Sequence, residues 1–168
     1  MSKAVAVVSG GLDSVTLAYH LKSEGYTLHL LTFDYGQQHR KEIEFAIQCA
    51  ERLNAKHSIV DIAWLGKQLK GSALTDQAVD VPDGSYADSN MGVTVVPNRN
   101  AVMLAISFSI ATAEEADIVA IGVHGGDHFI YPDCRPEFIE RFNHMEKASL
   151  GEFAHVELYA PFLRIGKE

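Results

Sequence analysis

The chain has 168 residues, of which 47% are hydrophobic and 21% are charged. This is long enough for one domain with a buried core, and too ordinary in composition for a disordered or repetitive protein. Its 14 Lys and Arg against 22 Asp and Glu give a net charge of −8, so it lacks the basic surface that nucleic-acid-binding proteins use. We therefore expect a single domain over residues 1–168 and no nucleic-acid partner.

Strand and helix patterns alternate along the chain. Short apolar, β-branched runs predict strands, and amphipathic stretches predict helices. In chain order we predict strand 3–9, helix 14–23, strand 27–34, helix 41–53, strand 56–61, helix 100–116, strand 117–123, helix 136–151 and strand 156–159. The first and fourth strands are apolar on both faces, as in a parallel sheet covered on each side. The pattern predicts an α/β fold: a doubly wound, mainly parallel five-stranded sheet with helices on both faces.

Glycine and proline positions agree with these elements. Gly25 follows the first predicted helix, where a left-handed residue commonly ends a helix, and Pro136 opens the last one. Between residues 71 and 97 the pattern gives way to Asp, Ser, Gly and Pro. A loop of this length is more typical of a lid or substrate loop than of a passive connection. We predict an excursion from the domain there.

The first predicted strand ends in the turn SGGLDS over residues 9–14. In a parallel α/β sheet this position lies at the ligand-binding edge. Gly10 and Gly11 allow successive N–H groups to face an anion, and the helix N-terminus adds partial positive charge. The two serines supply hydroxyl donors, whereas Asp13 would repel phosphate unless Mg²⁺ lay between them. The alternative is a tight turn with a helix cap, the usual explanation of an isolated Gly-Gly-x-Asp.

This turn resembles the Ser-Gly-Gly-x-Asp-Ser signature of the PP-loop (adenine nucleotide alpha hydrolase-like) ATP pyrophosphatases. Members of that superfamily cleave ATP between the α- and β-phosphates and activate a carbonyl oxygen as an adenylate. The resemblance implies ATP as a ligand and Mg²⁺ on Asp13. The ATP-binding residues that it implies are Val8, Ser9, Gly10, Gly11, Leu12, Asp13, Ser14, Thr16, Phe33, Arg99 and Lys167.

Three further stretches narrow the resemblance: residues 33–39 (FDYGQQH) with Glu42, residues 96–100 (VPNRN) and residues 131–138 (YPDCRPEF). In order and spacing they are similar to the QueC family of 7-cyano-7-deazaguanine synthases. That family converts 7-carboxy-7-deazaguanine and ammonia to the nitrile through adenylated intermediates, releasing AMP and pyrophosphate. The resemblance implies an ATP-dependent carbon–nitrogen ligase of queuosine biosynthesis with a small-molecule 7-deazaguanine substrate. Members of the family often form homodimers.

Several residues in these stretches are candidates for the substrate pocket. Arg99 is a fixed cation at the start of a helix, suited to a phosphate or a substrate carboxylate, with an ordinary surface arginine as the alternative. Asp127 or Asp133 is a candidate to accept the adjacent N–H donors of a guanine-like ring. Tyr131 or Phe129 is a candidate to stack on that ring, with packing under the loop as the alternative. The resemblance adds Tyr35, Gln37 and Arg135 to the substrate site, and it assigns catalysis to Asp13, Arg99 and Lys167.

Two other features favour ordinary packing. His124 and His128 flank Asp127, but metal binding at this spacing needs a helix, which Gly125 and Gly126 oppose. We interpret Cys134 as a packed thiol, because an adenylation mechanism needs no cysteine.

The resemblance also concerns the last residues. Family chains continue through a helix and a four-cysteine cluster that holds structural Zn²⁺, whereas this sequence stops at Glu168. Lys167 would open that helix and contact the ATP phosphates. We expect the sequence to be part of a longer or split protein, with its zinc ligands on residues not included.

The sequence indicates a cytoplasmic protein with no membrane partner. Met1 is followed by a short apolar stretch without the features of a signal peptide. The most apolar helical stretch, residues 101–113, is shorter than the roughly 20 residues that span a bilayer. Cys49 and Cys134 lie too far apart in the sequence for a disulfide framework or a zinc site of paired cysteines.

Two alternative functions stay open. One is a tRNA-thiolating PP-loop enzyme, against which the charge of −8 and the lack of a suitable cysteine pair argue. The other is a nucleotide-binding regulator that keeps the loop without turnover. Nucleotide binding without pyrophosphate release would distinguish the regulator.

Overall fold

A computed structural model describes residues 1–37, 40–68 and 98–166. Its helices and strands are β1 (Lys3–Val7), α1 (Leu12–Ser23), β2 (Thr27–Asp34), α2 (Lys41–Leu53), β3 (Lys56–Asp61), α3 (Ala63–Gly66), α4 (Arg99–Ala113), β4 (Ile118–Ala120), α5 (Pro136–Leu150) and β5 (Glu157–Tyr159). Two 3-10 turns, Gly125–Asp127 and Pro132–Cys134, connect β4 to α5. The predicted excursion over 71–97 lies outside the described residues.

The strands of the described chain form one sheet in the order β3-β2-β1-β4-β5, and every pair is parallel. The chain moves outward from β1 to β3 and then crosses back to place β4 on the other side of β1. The carboxyl ends of β1 and β4 therefore form the switch point at which open α/β sheets bind their ligands. This architecture confirms the predicted doubly wound fold.

β1 is buried on both faces because its alternate side chains pack against different helix layers. Val5 is fully buried in a cluster with Leu104 and Phe108 of α4. Ala6 points to the other face and packs with Leu17 of α1. Fully burying a large apolar side chain contributes about 2 kcal/mol, so these layers hold the central strand and the turn that follows it. Within the described residues no helix is both long and apolar enough to cross a membrane.

Charged side chains join the strands at the amino edge of the sheet. The Glu114 carboxylate, just after α4, lies 2.9 Å from Lys3 Nζ and 3.0 Å from His29 Nδ1, and it also pairs with Lys56. His29 Nε2 lies 2.8 Å from Ser58 Oγ. Burial acts to raise the pKa of the Glu114 carboxyl, but the bonds from Lys56, Lys3 and His29 outweigh burial and lower that pKa to about 2. This network ties the beginnings of three strands to the end of α4.

Candidate active site

The turn over residues 9–14 connects β1 to α1 and directs its backbone N–H groups inward. The N–H groups of Ser9 and Gly10 each donate to Ser14 Oγ at 3.2 Å. The N–H of Gly11 donates to Ser9 Oγ at 3.3 Å, and Ser14 Oγ donates to the Gly11 carbonyl at 2.9 Å. Successive N–H groups at a helix N-terminus form a nest suited to phosphate oxygens.

Two glycines allow neighbouring segments to approach this turn closely. Gly10 has a φ of +95°, and a Cβ there would lie 1.8 Å from the carbonyl oxygen of Glu42 in α2. Gly122, just after β4, lies against the turn from the other side, since its Cβ would come 3.1 Å from the carbonyl oxygen of Asp13. The chain segments that follow β1 and β4 are therefore packed directly against each other at the switch point.

A cavity of about 350 Å³ lies beside the first turn of α1. Its size is within the range of small-molecule pockets, roughly 300–1,000 Å³. The lining residues are Leu12, Asp13, Thr16, His124, Phe162, Ile165 and Gly166. Three of them belong to the predicted ATP site. Three others, Phe162, Ile165 and Gly166, could not be identified from the sequence because only the folded chain returns them to α1.

His124 brings the segments after β1 and β4 together. Its backbone N–H donates to Asp127 Oδ2 at 3.2 Å, and its Nδ1 accepts the N–H of Gly126 at 3.0 Å. The buried Nε2 lies 3.5 Å from Asp13 Oδ2 and 3.4 Å from Asp127 Oδ1. His124 is buried, as the packing interpretation requires, but Gly125 and Gly126 do form a helical turn, of the 3-10 type.

Arg99 lies between two aromatic side chains at the start of α4. Its Nη1 donates to the hydroxyl of Tyr35 at 3.4 Å, and its Cζ lies 6.0 Å from the centre of the Tyr131 ring. Tyr35 follows β2 and Tyr131 lies in the segment after β4, so Arg99 contacts the segments that follow the two neighbours of β1. Burial acts to lower the pKa of the guanidinium, but Tyr35, Tyr131 and Asp133 raise it above the ordinary value. Arg99 is thus a permanent cation at this edge.

The 3-10 turn over Pro132–Cys134 anchors the beginning of α4. Asp133 Oδ2 accepts the backbone N–H of Asn100 at 2.9 Å, and Asn100 Nδ2 donates to the Asp133 carbonyl at 3.0 Å and to Cys134 Sγ at 3.2 Å. Burial raises the pKa of the Cys134 thiol to about 12, so the thiol is uncharged at neutral pH. This agrees with its interpretation as a packed residue.

Two further predicted site residues contact backbone groups of their own loops. Gln37 Oε1 accepts the N–H of Tyr35 at 3.0 Å, and its Nε2 donates to the Phe33 carbonyl at 3.2 Å. Arg135 Nε donates to the His128 carbonyl at 2.9 Å. Both side chains hold the loops that carry the aromatic neighbours of Arg99.

Two more predicted ATP-site residues are buried beside the turn. The Phe33 side chain belongs to the core, and the carbonyl of fully buried Val8 accepts the Thr32 hydroxyl at 2.7 Å. The described chain ends at Gly166, so Lys167 lies outside it, as do Gln38, His39, Val96 and Pro97.

The parallel sheet, the glycine turn and the switch-point cavity define a PP-loop nucleotide-binding protein of the α/β class. Solved structures show the same fold. The U34-tRNA thiolase NcsA of Methanococcus maripaludis has a TM-score of 0.58 and 18% identity, covering 99% of this chain and 54% of that one. A predicted tRNA methyltransferase subunit of Methanocaldococcus jannaschii has a TM-score of 0.61 and 20% identity, covering 99% of this chain and 71% of that one.

Sequence comparison is more specific. A family model described as "Queuosine biosynthesis protein QueC" matches residues 3–168. The 7-cyano-7-deazaguanine synthases of Rhizobium rhizogenes and Brucella ovis are each 58% identical to this chain over 165 residues. Each match covers 98% of this chain. It covers 70% of the length of the Rhizobium rhizogenes protein and 71% of the length of the Brucella ovis protein. The chain belongs to the QueC family.

Proposed function

We propose that the chain is an ATP-dependent ligase that converts 7-carboxy-7-deazaguanine and ammonia into 7-cyano-7-deazaguanine. The observation that carries this proposal is the 58% identity to 7-cyano-7-deazaguanine synthases over 98% of the chain. The phosphate-binding nest and the cation Arg99 at one edge of the sheet support it, because the reaction joins a nucleoside triphosphate to a carboxylate.

The reaction consists of two activations. In the first, a carboxylate oxygen of the substrate attacks the α-phosphorus of ATP and pyrophosphate leaves. Ammonia then attacks the acyl carbon, AMP departs, and an amide results after loss of a proton. In the second activation the amide oxygen attacks the α-phosphorus of another ATP and pyrophosphate leaves. Loss of AMP and of the two amide protons then gives the nitrile.

The turn over residues 9–14 is assigned to the phosphates. In place of the hydrogen bonds they make within the turn, its N–H groups and the hydroxyls of Ser9 and Ser14 would donate to pyrophosphate oxygens, where charge increases as the phosphate bond breaks. Leu12 and Thr16 line the cavity beside it, and the buried backbone near Val8 and Phe33 sets the position of the turn.

The described residues fit Mg²⁺ at Asp13. Mg²⁺ is usually bound by one or two carboxylates together with substrate phosphates, and Asp13 places one carboxylate in the lining of the cavity. When bound, Mg²⁺ would neutralise phosphate charge. The described residues do not fit structural Zn²⁺, because Cys49 and Cys134 belong to core clusters on opposite faces of the sheet. No group of three or more His, Cys, Asp or Glu suited to a metal occurs in the described chain.

The substrate is assigned to the side of the site where Arg99 lies. Its guanidinium would pair with the substrate carboxylate, and the ring of Tyr131 is available for stacking. Asp127 is assigned to the N–H edge of the deazaguanine. The other substrate-site residues, Tyr35, Gln37, Asp133 and Arg135, are assigned to holding Arg99 and the loops around it, because their contacts are with Arg99, α4 and loop backbone.

No specific observation favours tRNA thiolation or a regulatory role. Both cysteines are buried and lie on opposite faces of the sheet, so they cannot act together, and the net charge of −8 does not suit tRNA. The proposal includes ammonia as the nitrogen donor, a homodimer and a cytoplasmic location. Two free buried cysteines are compatible with a reducing compartment.

The test is to incubate the intact protein with ATP, Mg²⁺, ammonia and 7-carboxy-7-deazaguanine, and to measure AMP together with the product mass. We expect the nitrile and AMP. Asp13→Ala should abolish ATP–pyrophosphate exchange, while Asp117→Ala, the same change at the opposite edge of the sheet, should preserve it. AMP formed only with another carboxylate or carbonyl substrate would reject the proposed substrate. Nucleotide binding without pyrophosphate release would indicate the regulator.

A further inference from the structure

The hydrogen bonds of His124 determine which ring nitrogen carries the proton. Nδ1 accepts the N–H of Gly126 at 3.0 Å, so Nδ1 cannot itself be protonated. The ring proton is therefore on Nε2, an assignment that rests on the hydrogen-bond network. Nε2 is buried, and no hydrogen bond to it is made within the described residues.

Nε2 lies close to two carboxylates of the proposed site. Asp13 Oδ2 lies 3.5 Å from Nε2 and Asp127 Oδ1 lies 3.4 Å from it. A nitrogen that carries a proton cannot ligate a metal, since metal binding uses the lone pair of the neutral ring. The imidazole thus offers an Nε2–H that has no hydrogen-bond partner in the described chain and lies within 3.5 Å of both carboxylates, and it is not a further ligand.

The position of the His124 ring is also fixed by the 3-10 turn that follows it. It occupies the position before the 3-10 turn over Gly125–Asp127, and its backbone N–H and Nδ1 both take part in a capping box with that turn. A Cβ on Gly126 would lie 2.9 Å from His124 Cε1, so the ring packs directly on the turn. The direction of Nε2–H is therefore set by the backbone.

We infer that His124 is a positioning residue, whose Nε2–H orients the Asp13 carboxylate for the Mg²⁺–nucleotide complex and the neighbouring Asp127 carboxylate for the substrate. The inference rests on the proposed function of Asp13. It also gives His124 two separable tasks: Nδ1 supports the 3-10 turn, and Nε2–H orients the carboxylates. Hydrogen-bond donors just outside a metal site commonly influence affinity by about ten- to a hundredfold.

Two substitutions separate these tasks. His124→Asn keeps an acceptor for the Gly126 N–H, and Asn is a favourable residue at this cap position, but its side chain is too short to replace Nε2–H. His124→Gln places an amide N–H at about the distance of Nε2 from the backbone. The wild-type intact protein and both variants would be compared by calorimetric titration with ATP at fixed Mg²⁺, and by thermal unfolding.

We expect His124→Asn to weaken MgATP binding by about tenfold or more with an unfolding midpoint close to that of the wild type. His124→Gln should bind MgATP more tightly than His124→Asn does. The kcat for AMP release should fall in the same order, and added Mg²⁺ should partly restore the Asn variant.

Wild-type MgATP affinity in His124→Asn would overturn the inference, as would equal losses in both variants. If His124→Asn unfolds at a much lower temperature, the comparison rests on His124→Gln and His124→Leu, which both lack the Nδ1 acceptor. Equal affinity in that pair would likewise overturn the inference. Failure of the proposed function is a different result, because the wild-type protein would then show no MgATP binding or no pyrophosphate release.

Discussion

Gly10 and the carbonyl oxygen of Glu42 are in direct contact, so that a Cβ at Gly10 would lie 1.8 Å from this oxygen. The oxygen belongs to the backbone of α2 and cannot rotate away. Gly10 also has a φ of +95°, which disfavours any side chain. We expect Gly10→Ala to lower the free energy of unfolding by about 3 kcal/mol or more, because strain and a clash are combined.

Gly25→Ala is the matched control for Gly10→Ala. Gly25 has a similar φ of +89°, but nothing lies within 4 Å of the position of its Cβ. Its replacement should therefore lower the free energy of unfolding by only about 1 kcal/mol. Urea unfolding of both variants gives the comparison. Equal losses would show that the contact with α2 contributes nothing beyond the backbone conformation.

Glu114 should contribute to stability in a defined pH range. Its pKa is lowered from 4.5 to about 2 in the folded chain, so its contribution is present above pH 4.5 and is lost as the pH falls toward 2. Lys56 is largely exposed, so solvent screening reduces the effect to on the order of 2 kcal/mol. Glu114→Gln should lower the free energy of unfolding at pH 7 and flatten its decline below pH 4.5.

Glu115→Gln makes the same charge change one residue along the chain, where the side chain is exposed. Unfolding in urea at a series of pH values from 7 to 3 would compare the two variants. If the free energy of unfolding falls with pH equally in Glu114→Gln and in the wild type, the Glu114 carboxylate does not stabilise the fold through the network at the amino edge.

Glu146 should have the opposite pH dependence. It is only 7% exposed on α5, and burial raises the pKa of its carboxyl. Its protonated form therefore stabilises the fold fully below the pKa that Glu146 has in the unfolded chain. This stabilisation is lost as the pH rises through the higher pKa of the folded chain. Glu146→Gln should raise the free energy of unfolding at pH 7 by about 1 kcal/mol, and the gain should shrink at pH 4.

Glu140→Gln is the control for Glu146, since Glu140 is exposed on the same helix. It should change the unfolding midpoint very little at either pH. A destabilised Glu146→Gln protein at pH 7 would mean that the charged carboxylate is stabilised by its surroundings.

Arg99 should be sensitive to the shape of its cation as well as to its charge. Lysine lacks the planar group that lies beside Tyr35 and Tyr131 and that can pair with a carboxylate in a bidentate manner. We expect Arg99→Lys to reduce kcat/KM for nitrile formation by about a hundredfold. Tyr35→Phe removes only the hydroxyl that accepts from Arg99 and should reduce kcat/KM by less than about tenfold. Similar losses in the two variants would contradict a direct role of the guanidinium.

Cys134 should be dispensable for the chemistry. Its thiol is buried and has a pKa of about 12, so iodoacetamide at pH 8 should not modify it in the folded protein. Cys134→Ser keeps an acceptor for Asn100 Nδ2 and should keep AMP release within about tenfold of the wild type. Loss of AMP release in a variant that unfolds at the wild-type temperature would instead indicate a reacting thiol.

The elements that could be predicted from the sequence are those with strong local periodicity. Residues 27–34, 41–53 and 56–61 form the predicted elements with the predicted bounds. The strand predicted over 117–123 is restricted to Ile118–Ala120, because pairing with the neighbouring strands decides its length. The helix Ala63–Gly66 has four residues, too few to show a period, and it was not predicted.

The candidate site likewise has parts that could be predicted from the sequence and parts that could not. The phosphate turn is local, so its position and the adjoining helix N-terminus follow from a few consecutive residues. The contacts of Asp133 with Asn100, and of His124 with Asp13, join distant parts of the chain, and no local pattern indicates them. The roles of Asp13, Arg99 and Lys167 stay predictions, and Lys167 lies outside the described residues.

The central position of β1 has a consequence for the order of folding. β1 pairs with β2 after one short crossover, whereas its pairing with β4 joins Ala4 to Ile118. Closing the longer loop costs more conformational entropy. We therefore expect the half of the domain that contains β1, β2 and β3 to form first. The phosphate turn belongs to that half, while His124 and Arg99 reach it only when the second half docks. Amide hydrogen exchange in β4 and β5 would then measure that docking step, and nucleotide should slow the exchange there more than in β3.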